Sequence, residues 1–536
     1  MKHNKYEFYY NEPVNSIVEL IERSEKLYGS SVAVRYKKKR KPQEKTYKDL
    51  CDDSKNLGSW LLDQSLANGH IGILGASSYE WIISYIGAVF AGMVAVPLDK
   101  ELNATDISDL LKRADVDLLF YDSNYVDIIN QIKDESELSN LKMISFDSIL
   151  TLNGSNIGLP KVVSDKMSSI LFTSGTTGKS KGVMLTQRNI ASNVIQGLGA
   201  VDLHHEKDII LSVLPMNHAY EFTCTILGMI YKGVTICICS GLKYIQKEFV
   251  EYKPTVMFVV PLLAENFYER IEASVKQQKK ETVFKIGKKA SAFLRKFNID
   301  LTNLLFADIK SAFGGELKTL MCGGAPLNEE LIKKYADIGI NLFQGYGLTE
   351  CSPLLTVNFD YYHRPNSVGK IVVGNSAKVV DGEIWASGLS VSNGYYKDKE
   401  ATSSAFENGW FKTGDLGNID ADGFIFITGR KKNLIILSNG KNVSPEEIES
   451  VIENNIPQVK EVLVYAENDR IVAEIYSENL NEYVKNNIEK DIENLNLKLP
   501  SFKQIAKVKF RKNEFPKTTT KKIKRNYEVQ HNDIKN

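Results

Sequence analysis

Six short apolar runs, HIGILGA, VAVPL, VDLLFYD, DIILSVLP, VTICICS and TVMFVVP, alternate with amphipathic stretches through the first 430 residues. Runs this short, bounded by turn residues, read as strands buried on both faces, and the helical patterns between them cover the sheets. The expected fold class is α/β, with a large N-terminal domain of layered α/β sheets. Past residue 430 the texture changes: a helix after Ser444-Pro445 (EEIESVIEN) precedes KEVLVYA and RIVAEIYS around the turn ENDR, then a charged helix and the strand AKVKFRK. That pattern predicts a small α+β C-terminal domain. At 536 residues and 43% apolar content the chain exceeds one compact unit, and the expected division is 1–431 and 432–536.

Lys and Arg total 67 against 66 Asp and Glu, so no global field draws the chain to nucleic acid and no such partner is expected. The six cysteines (Cys51, Cys224, Cys237, Cys239, Cys322, Cys351) form no CxxC pair, and strand alternation puts Cys237 and Cys239 on one face. They read as buried thiols in a reducing cytoplasm, and none of the seven histidines has zinc-ligand spacing. The opening MKHNKYEFYY carries charge and aromatics where a secretory leader needs a continuous apolar core. The longest uncharged run, between Glu80 and Asp99, is interrupted by Ser84, Gly87, Gly92 and Pro97. It reads as a buried helix turning at Gly92 into the strand VAVPL, in preference to a membrane span.

Residues 275–297 differ from the rest. Val283, Ile286, Gly287, Ala290, Phe293, Leu294 and Phe297 share one helical face, with Lys279, Lys280, Lys288, Lys289, Arg295 and Lys296 nearby. The expectation is a solvated helix packing that face on its domain. The alternative is peripheral contact with an anionic surface at the inner face of the membrane.

The run SSILFTSGTTGKSKGVMLTQRNI sets an apolar strand before a loop rich in Gly, Ser and Thr, with a helix expected after it. Glycines admit phosphate oxygens to backbone N–H groups, hydroxyls add donors and Lys181 adds charge, so Thr173, Ser174, Gly175, Thr176, Thr177, Gly178 and Lys181 suit a polyphosphate. The competing GxxxxGK[ST] loop fails on spacing. Gly178-Lys179-Ser180 matches its end, but its first glycine would fall on Thr173.

TSGTTGKSKGV resembles the signature loop of the adenylate-forming superfamily, which includes acyl-CoA synthetases, peptide-synthetase adenylation domains and firefly-type luciferases. Further motifs follow in family order across almost the whole chain. The resemblance implies an enzyme that uses ATP and Mg2+ to make an acyl-adenylate and hands the acyl group to a thiol, with a small C-terminal domain that is mobile. In KTLMCGGAPLNEELIKKYADIG, Gly324, Ala325 and Pro326 match the turn that lines the adenine pocket, although glycines serving the turn alone are the alternative. In NLFQGYGLTE, Tyr346 matches the residue that stacks on adenine, Thr349 the α-phosphate contact and Glu350 the magnesium ligand. Asp415 in WFKTGDLGNID resembles the carboxylate that accepts both ribose hydroxyls, Arg430 the arginine that reaches the nucleotide, and Lys432 the hinge. Gly440 matches the segment that meets the pantetheine channel. In FPKTTTKKIKR the family has glycine before its catalytic lysine; Lys521 stands in that place here, and register gives Lys522 as catalytic.

Amino-acid adenylation domains place an Asp after the loop that follows DIILSVLPMNHAYEF, yet no Asp occurs from Ile209 to Ile299, leaving Glu221 as the carboxylate that would have to substitute. His218 matches the family's gate beside the acyl pocket, with a satisfied structural histidine as the alternative. The insertion before MCGGAPL, the segment ITGRKKNLIILSNGKNVSPEEIE and the terminal KIKR are most similar to the long-chain fatty acyl-CoA synthetase branch. The resemblance therefore implies a medium- or long-chain fatty acid, with coenzyme A or the phosphopantetheine of an acyl carrier protein as acceptor. Aryl or amino-acid adenylation, a luciferase-like oxygenase and a membrane-associated nucleotide-binding module without turnover are the competing readings.

Overall fold

The computed structural model describes residues 7–525 apart from 67, 156–157, 174–179, 296, 298, 439–440 and 518–522. The chain forms two compact units, one of residues 1–377 with 386–411 and one of residues 378–385 with 412–536.

All six apolar runs of the larger unit are strands. His70–Leu74, Val94–Leu98 and Leu118–Tyr121 lie in a six-stranded sheet with Lys142–Ser145, Met167–Thr173 and Lys181–Thr186. Ile209–Ser212, Thr235–Ile238 and Val256–Val259 lie in a nine-stranded sheet beside Thr319–Cys322 and Asn341–Gly347, and these five strands run parallel to their neighbours among them. Burial on both faces explains their near-continuous apolar sequence. The helix Tyr79–Phe90 is buried along its whole length, in a core that takes Ile71 and Ile73 from the smaller sheet and Val34, Ile210 and Ile236 from the larger. Trp81 stacks on Tyr85 at 5.9 Å and meets Phe222 edge-on at 5.2 Å. Beyond the helix Gly92 takes a left-handed φ of +69° and turns the chain into Val94–Leu98. The long uncharged run is thus a core helix and a core strand, and no helix among the described residues is long and apolar enough to cross a membrane.

Two expectations are corrected here. The segment following the phosphate loop is a strand, Lys181–Thr186, antiparallel to Met167–Thr173. Its Val183 and Leu185 alternate inward and are fully buried, which is the period of a strand. The helix, Gln187–Gly197, begins only at the capping box of Thr186 and Asn189. The amphipathic helix, Glu281–Arg295, also departs from expectation: it seats Phe284, Gly287 and Ser291 on its domain and leaves Val283, Ile286 and Phe293 in solvent. A Cβ at Gly287 would lie 3.2 Å from the Phe306 ring, so the missing side chain is what allows the close seat.

In the smaller unit Glu461–Glu467 and Arg470–Tyr476 form a hairpin whose Asn468 and Asp469 have φ of +51° and +62°, as a two-residue type I′ turn requires. Glu482–Asn496 crosses over to Ile505–Arg511, which pairs parallel to the second strand. Ile448 and Ile452 of the helix Pro445–Asn455 pack with Val462, Val464, Ile475 and Ile488. A large α/β part and a smaller α+β part describe the molecule.

Candidate active site

Loops leaving the carboxyl ends of neighbouring parallel strands open onto one edge of a sheet. Ile209–Ser212 leads to His218, Thr319–Cys322 leads to Gly324, Ala325 and Pro326, and Asn341–Gly347 carries Tyr346 next to its end and leads to Thr349 and Glu350 in a single turn of 3-10 helix. The register Cys322↔Gln344 sets the GGAP turn beside Gly345 and Tyr346. Gly324 takes φ +87°, and a Cβ on Gly323 would lie 3.1 Å from the ring of Tyr220, whose hydroxyl donates to the Met321 carbonyl at 2.9 Å.

Glu350 is clamped by Tyr395, a residue with no signal in the sequence beyond being one of two adjacent tyrosines. The Tyr395 hydroxyl donates to Glu350 Oε1 at 2.8 Å, and Lys181 Nζ lies 5.0 Å from the centre of the same ring. Burial, then the Glu350 charge, holds the phenol far above its ordinary range, so it remains a donor. The backbone repeats the connection. Ser392 N donates to Glu350 O at 2.8 Å, Met184 N to Gly394 O at 3.0 Å and Tyr396 N to Gly182 O at 2.7 Å. Residues 392–396 therefore lace Glu350 to the strand that starts at Lys181. Thr173 pairs with Lys181 at the other strand end, and Arg113 donates to the carbonyl of Ser180. Ser174, Gly175, Thr176, Thr177 and Gly178 lie outside the described residues.

The turn that carries Thr349 and Glu350 is fixed from behind. Buried Asn193 donates to the carbonyls of Cys351 at 3.1 Å and Leu354 at 2.7 Å, and accepts from Leu354 N at 3.0 Å. Gly347 lets the chain double back, since a Cβ there would lie 1.9 Å from Pro353 O.

A narrow apolar cavity adjoins this edge. Gly197, Leu198, Val201, Gly228, Phe258, Met321, Phe343 and Val357 line it together with Tyr220, Cys224 and Cys322, and among the described residues its wall holds no charged side chain. Glu221 does not supply one. It is fully buried, accepting from the hydroxyls of Ser212 and, at 2.9 Å, Thr225, and burial raises its carboxyl to about 7. Both of its oxygens are bonded inside the fold and it does not line the cavity, which corrects its suggested use as an ammonium partner. His218 is half-buried in the loop before the π-helical turn Tyr220–Leu227.

In the smaller unit Asp415 and Arg430 are cross-strand partners, with Arg430 Nε donating to the buried Asp415 carboxylate at 2.6 Å. Glu383, which no motif marked, accepts from Gly414 N at 2.9 Å and Lys431 Nζ at 2.8 Å and so fixes the turn before Asp415. Lys432 follows, its pKa lowered by burial and by the neighbouring Arg430 charge. Gly440 and Lys522 lie outside the described residues. On either side of the latter, Lys517 pairs with Ile523, and Arg525 binds Glu449.

Residues 21–396 match the profile of AMP-binding enzymes, and residues 432–532 that of the AMP-binding enzyme C-terminal domain. The chain is similar to the long-chain-fatty-acid–CoA ligase FadD15 of Mycobacterium bovis, 29% identical over 428 residues that span 74% of this chain and 71% of the relative. It is also similar to long-chain-fatty-acid–CoA ligase 5 of Rattus norvegicus, 28% identical over 527 residues that span 88% and 76%. The solved anthranilate CoA ligase AuaEII in complex with anthranoyl-AMP shares the fold with a TM-score of 0.79 at 19% identity, covering 99% of both chains. A Mycobacterium tuberculosis fatty acyl CoA synthetase does so with a TM-score of 0.70 at 24% identity, covering 97% of this chain and 98% of the other.

Removing the hydroxyl in Tyr395→Phe is expected to slow carboxylate-dependent pyrophosphate exchange by about tenfold, the worth of one hydrogen bond to a charged group. The thermal midpoint should stay close to the parent's, because the ring remains in place. Because Glu221 binds its proton more tightly when folded than when unfolded, its contribution to stability is full below the ordinary carboxylate range and is lost as pH rises to about 7. Urea unfolding across that window should show the decline in the parent, and Glu221→Gln should flatten it.

Proposed function

The chain belongs to the AMP-binding enzyme family, and from that premise we propose that this AMP-forming acid–thiol ligase activates a medium- or long-chain fatty acid and passes the acyl group to coenzyme A. The observation that carries the reading is the uncharged cavity whose wall is shared with the GGAP turn through Tyr220 and Met321. An aliphatic chain gains from such a lining once the cavity, about 30 Å³ as it stands, opens to admit it, whereas a zwitterionic amino acid finds no charge to meet its ammonium group. The names of the two ligases above support a fatty acid, and that of the anthranilate ligase keeps aryl acids among those to test.

In this proposal the carboxylate attacks the α-phosphorus of ATP in line, forming the acyl-phosphate bond and releasing pyrophosphate. Backbone donors of Thr173–Gly178 with Lys181 hold the departing phosphates, Thr349 and Lys522 meet charge at the α-phosphate, and Tyr346 with Gly324, Ala325 and Pro326 takes the adenine. Asp415 and Arg430 take the ribose side. Among the described residues no three or more His, Cys, Asp or Glu side chains are arranged to hold a metal. Glu350 alone suits magnesium that is shared with substrate phosphates and water, the usual protein environment of that ion. Bound there, the ion would neutralise phosphate charge. In the second half-reaction the thiol attacks the acyl carbonyl, loses its proton and expels AMP. We assign residues 432–536 as the mobile C-terminal domain that changes role between the steps, with Lys432 as pivot and Gly440 on the segment meeting pantetheine. His218 gates the acyl side.

Pyrophosphate exchange measured over fatty, aryl and amino acids should be fastest with fatty acids, and Gly228→Leu, which fills the cavity wall, should move the preferred acid to a shorter chain. Fastest exchange with an aryl or amino acid would reject the substrate reading, and offering coenzyme A and a carrier protein together identifies the acceptor. Lys522→Ala should slow acyl-AMP formation by about 100- to 1,000-fold, as loss of one transition-state donor does, and leave conversion of preformed acyl-AMP to thioester intact. Equal loss in both half-reactions would reject the role given to Lys522.

A further inference from the structure

The helix Glu281–Arg295 has an apolar stripe that covers nothing. Val283, Ile286 and Phe293 are 69%, 62% and 59% exposed, and Phe297 just beyond the helix is 62% exposed. In helical projection these residues and Ala290 fill one continuous sector, roughly 80° wide. It lies beside, and not on, the sector of Phe284, Gly287 and Ser291 that seats the helix on Phe306. Lys285 and Lys289 border the stripe on its other side, and neither makes an ion pair with a described residue. The patch continues past the helix into Ile299, Leu301, Leu304 and Leu305, all exposed, with Leu304 at 77%. From Lys276 to Lys296 the sequence holds eight Lys and Arg against one carboxylate, Glu281.

We propose that this face docks the protein on an anionic lipid surface, with Val283, Ile286, Phe293 and Phe297 entering the headgroup boundary and Lys285 and Lys289 meeting lipid phosphates. Isolated exposed apolar residues need no explanation, but a contiguous stripe on one helix edge does. Its chemistry selects the occupant. A charge excess on the border of an apolar stripe is what a negatively charged bilayer surface complements, and a helix seated by the adjoining sector can present the stripe to that surface without unfolding. The inference does not depend on which acid the enzyme activates, since docking is read without turnover.

Flotation of the full chain with vesicles of phosphatidylglycerol and phosphatidylcholine in equal parts, and with vesicles of phosphatidylcholine alone, tests it. The parent is expected to float with the anionic vesicles, less so in high salt, and to remain unbound with the neutral ones. The triple variant Ile286→Ser, Phe293→Ser, Phe297→Ser and the pair Lys285→Glu, Lys289→Glu should each lose at least about tenfold in the bound fraction. Both should keep parental pyrophosphate exchange with a water-soluble acid, which shows that they fold. A parent that stays unbound, or variants that float as it does, would overturn the proposal. So would a parent that sediments as a dimer which the triple variant dissolves, since the stripe would then belong to a second copy.

Discussion

The hydrogen bond from the Tyr395 hydroxyl to Glu350 is the tie on which the larger unit's site depends. Glu350 follows the strand Asn341–Gly347 of the nine-stranded sheet and Tyr395 stands 45 residues further along the chain, where the same short stretch, residues 392–396, is bonded by its backbone to both Glu350 and the strand after the phosphate loop. Lys181 over the Tyr395 ring completes a row of ammonium, ring and carboxylate. Tyr395 is the buried member, and its hydroxyl is satisfied by the half-buried Glu350 carboxylate while its ring faces the half-buried Lys181 ammonium. The carboxylate is thereby held in one orientation before any ligand arrives, which is what positioning chemistry requires.

Asn193 joins the charged turn to the apolar cavity, since it holds Cys351 and Leu354 by hydrogen bonds and also lines the cavity wall. The π-helical turn Tyr220–Leu227 presents Tyr220 and Cys224 to that uncharged cavity while folding Glu221 back onto Ser212 and Thr225. One widened helical turn thus separates a carboxylate from the cavity that it would otherwise charge. The smaller unit uses a different device, in which a cross-strand register brings Asp415 to Arg430 and Glu383 binds Gly414 before the one and Lys431 after the other.

Much of this was legible along the chain. The six apolar runs are strands because burial on both faces removes polar alternation, and Gly92 marks the turn out of the core helix because its φ is left-handed. The loops bearing His218, Gly324 and Glu350 were each found by motif. Tyr395 was not, since a tyrosine has no chemistry until its hydroxyl has a partner, and that partner is 45 residues away. Glu383 was missed for the same reason. Sequence alone leads from the loop straight to a helix and does not show the strand Lys181–Thr186, because its pairing partner lies on the far side of the loop.

The sequence by itself determined the division into α/β and α+β parts, the strand cores and the family, because periodicity and motif spacing are local properties that survive without coordinates. Tertiary structure decided which faces and charges are used. The stripe of Glu281–Arg295 reads as a face packed on the domain until Gly287 is seen against Phe306, which seats the helix by Phe284, Gly287 and Ser291 and leaves Val283, Ile286 and Phe293 outward. Glu221 reads as an available carboxylate until its hydroxyl donors are in place. In both cases periodicity and residue type leave open which neighbour a side chain meets, and that neighbour comes from a distant part of the chain.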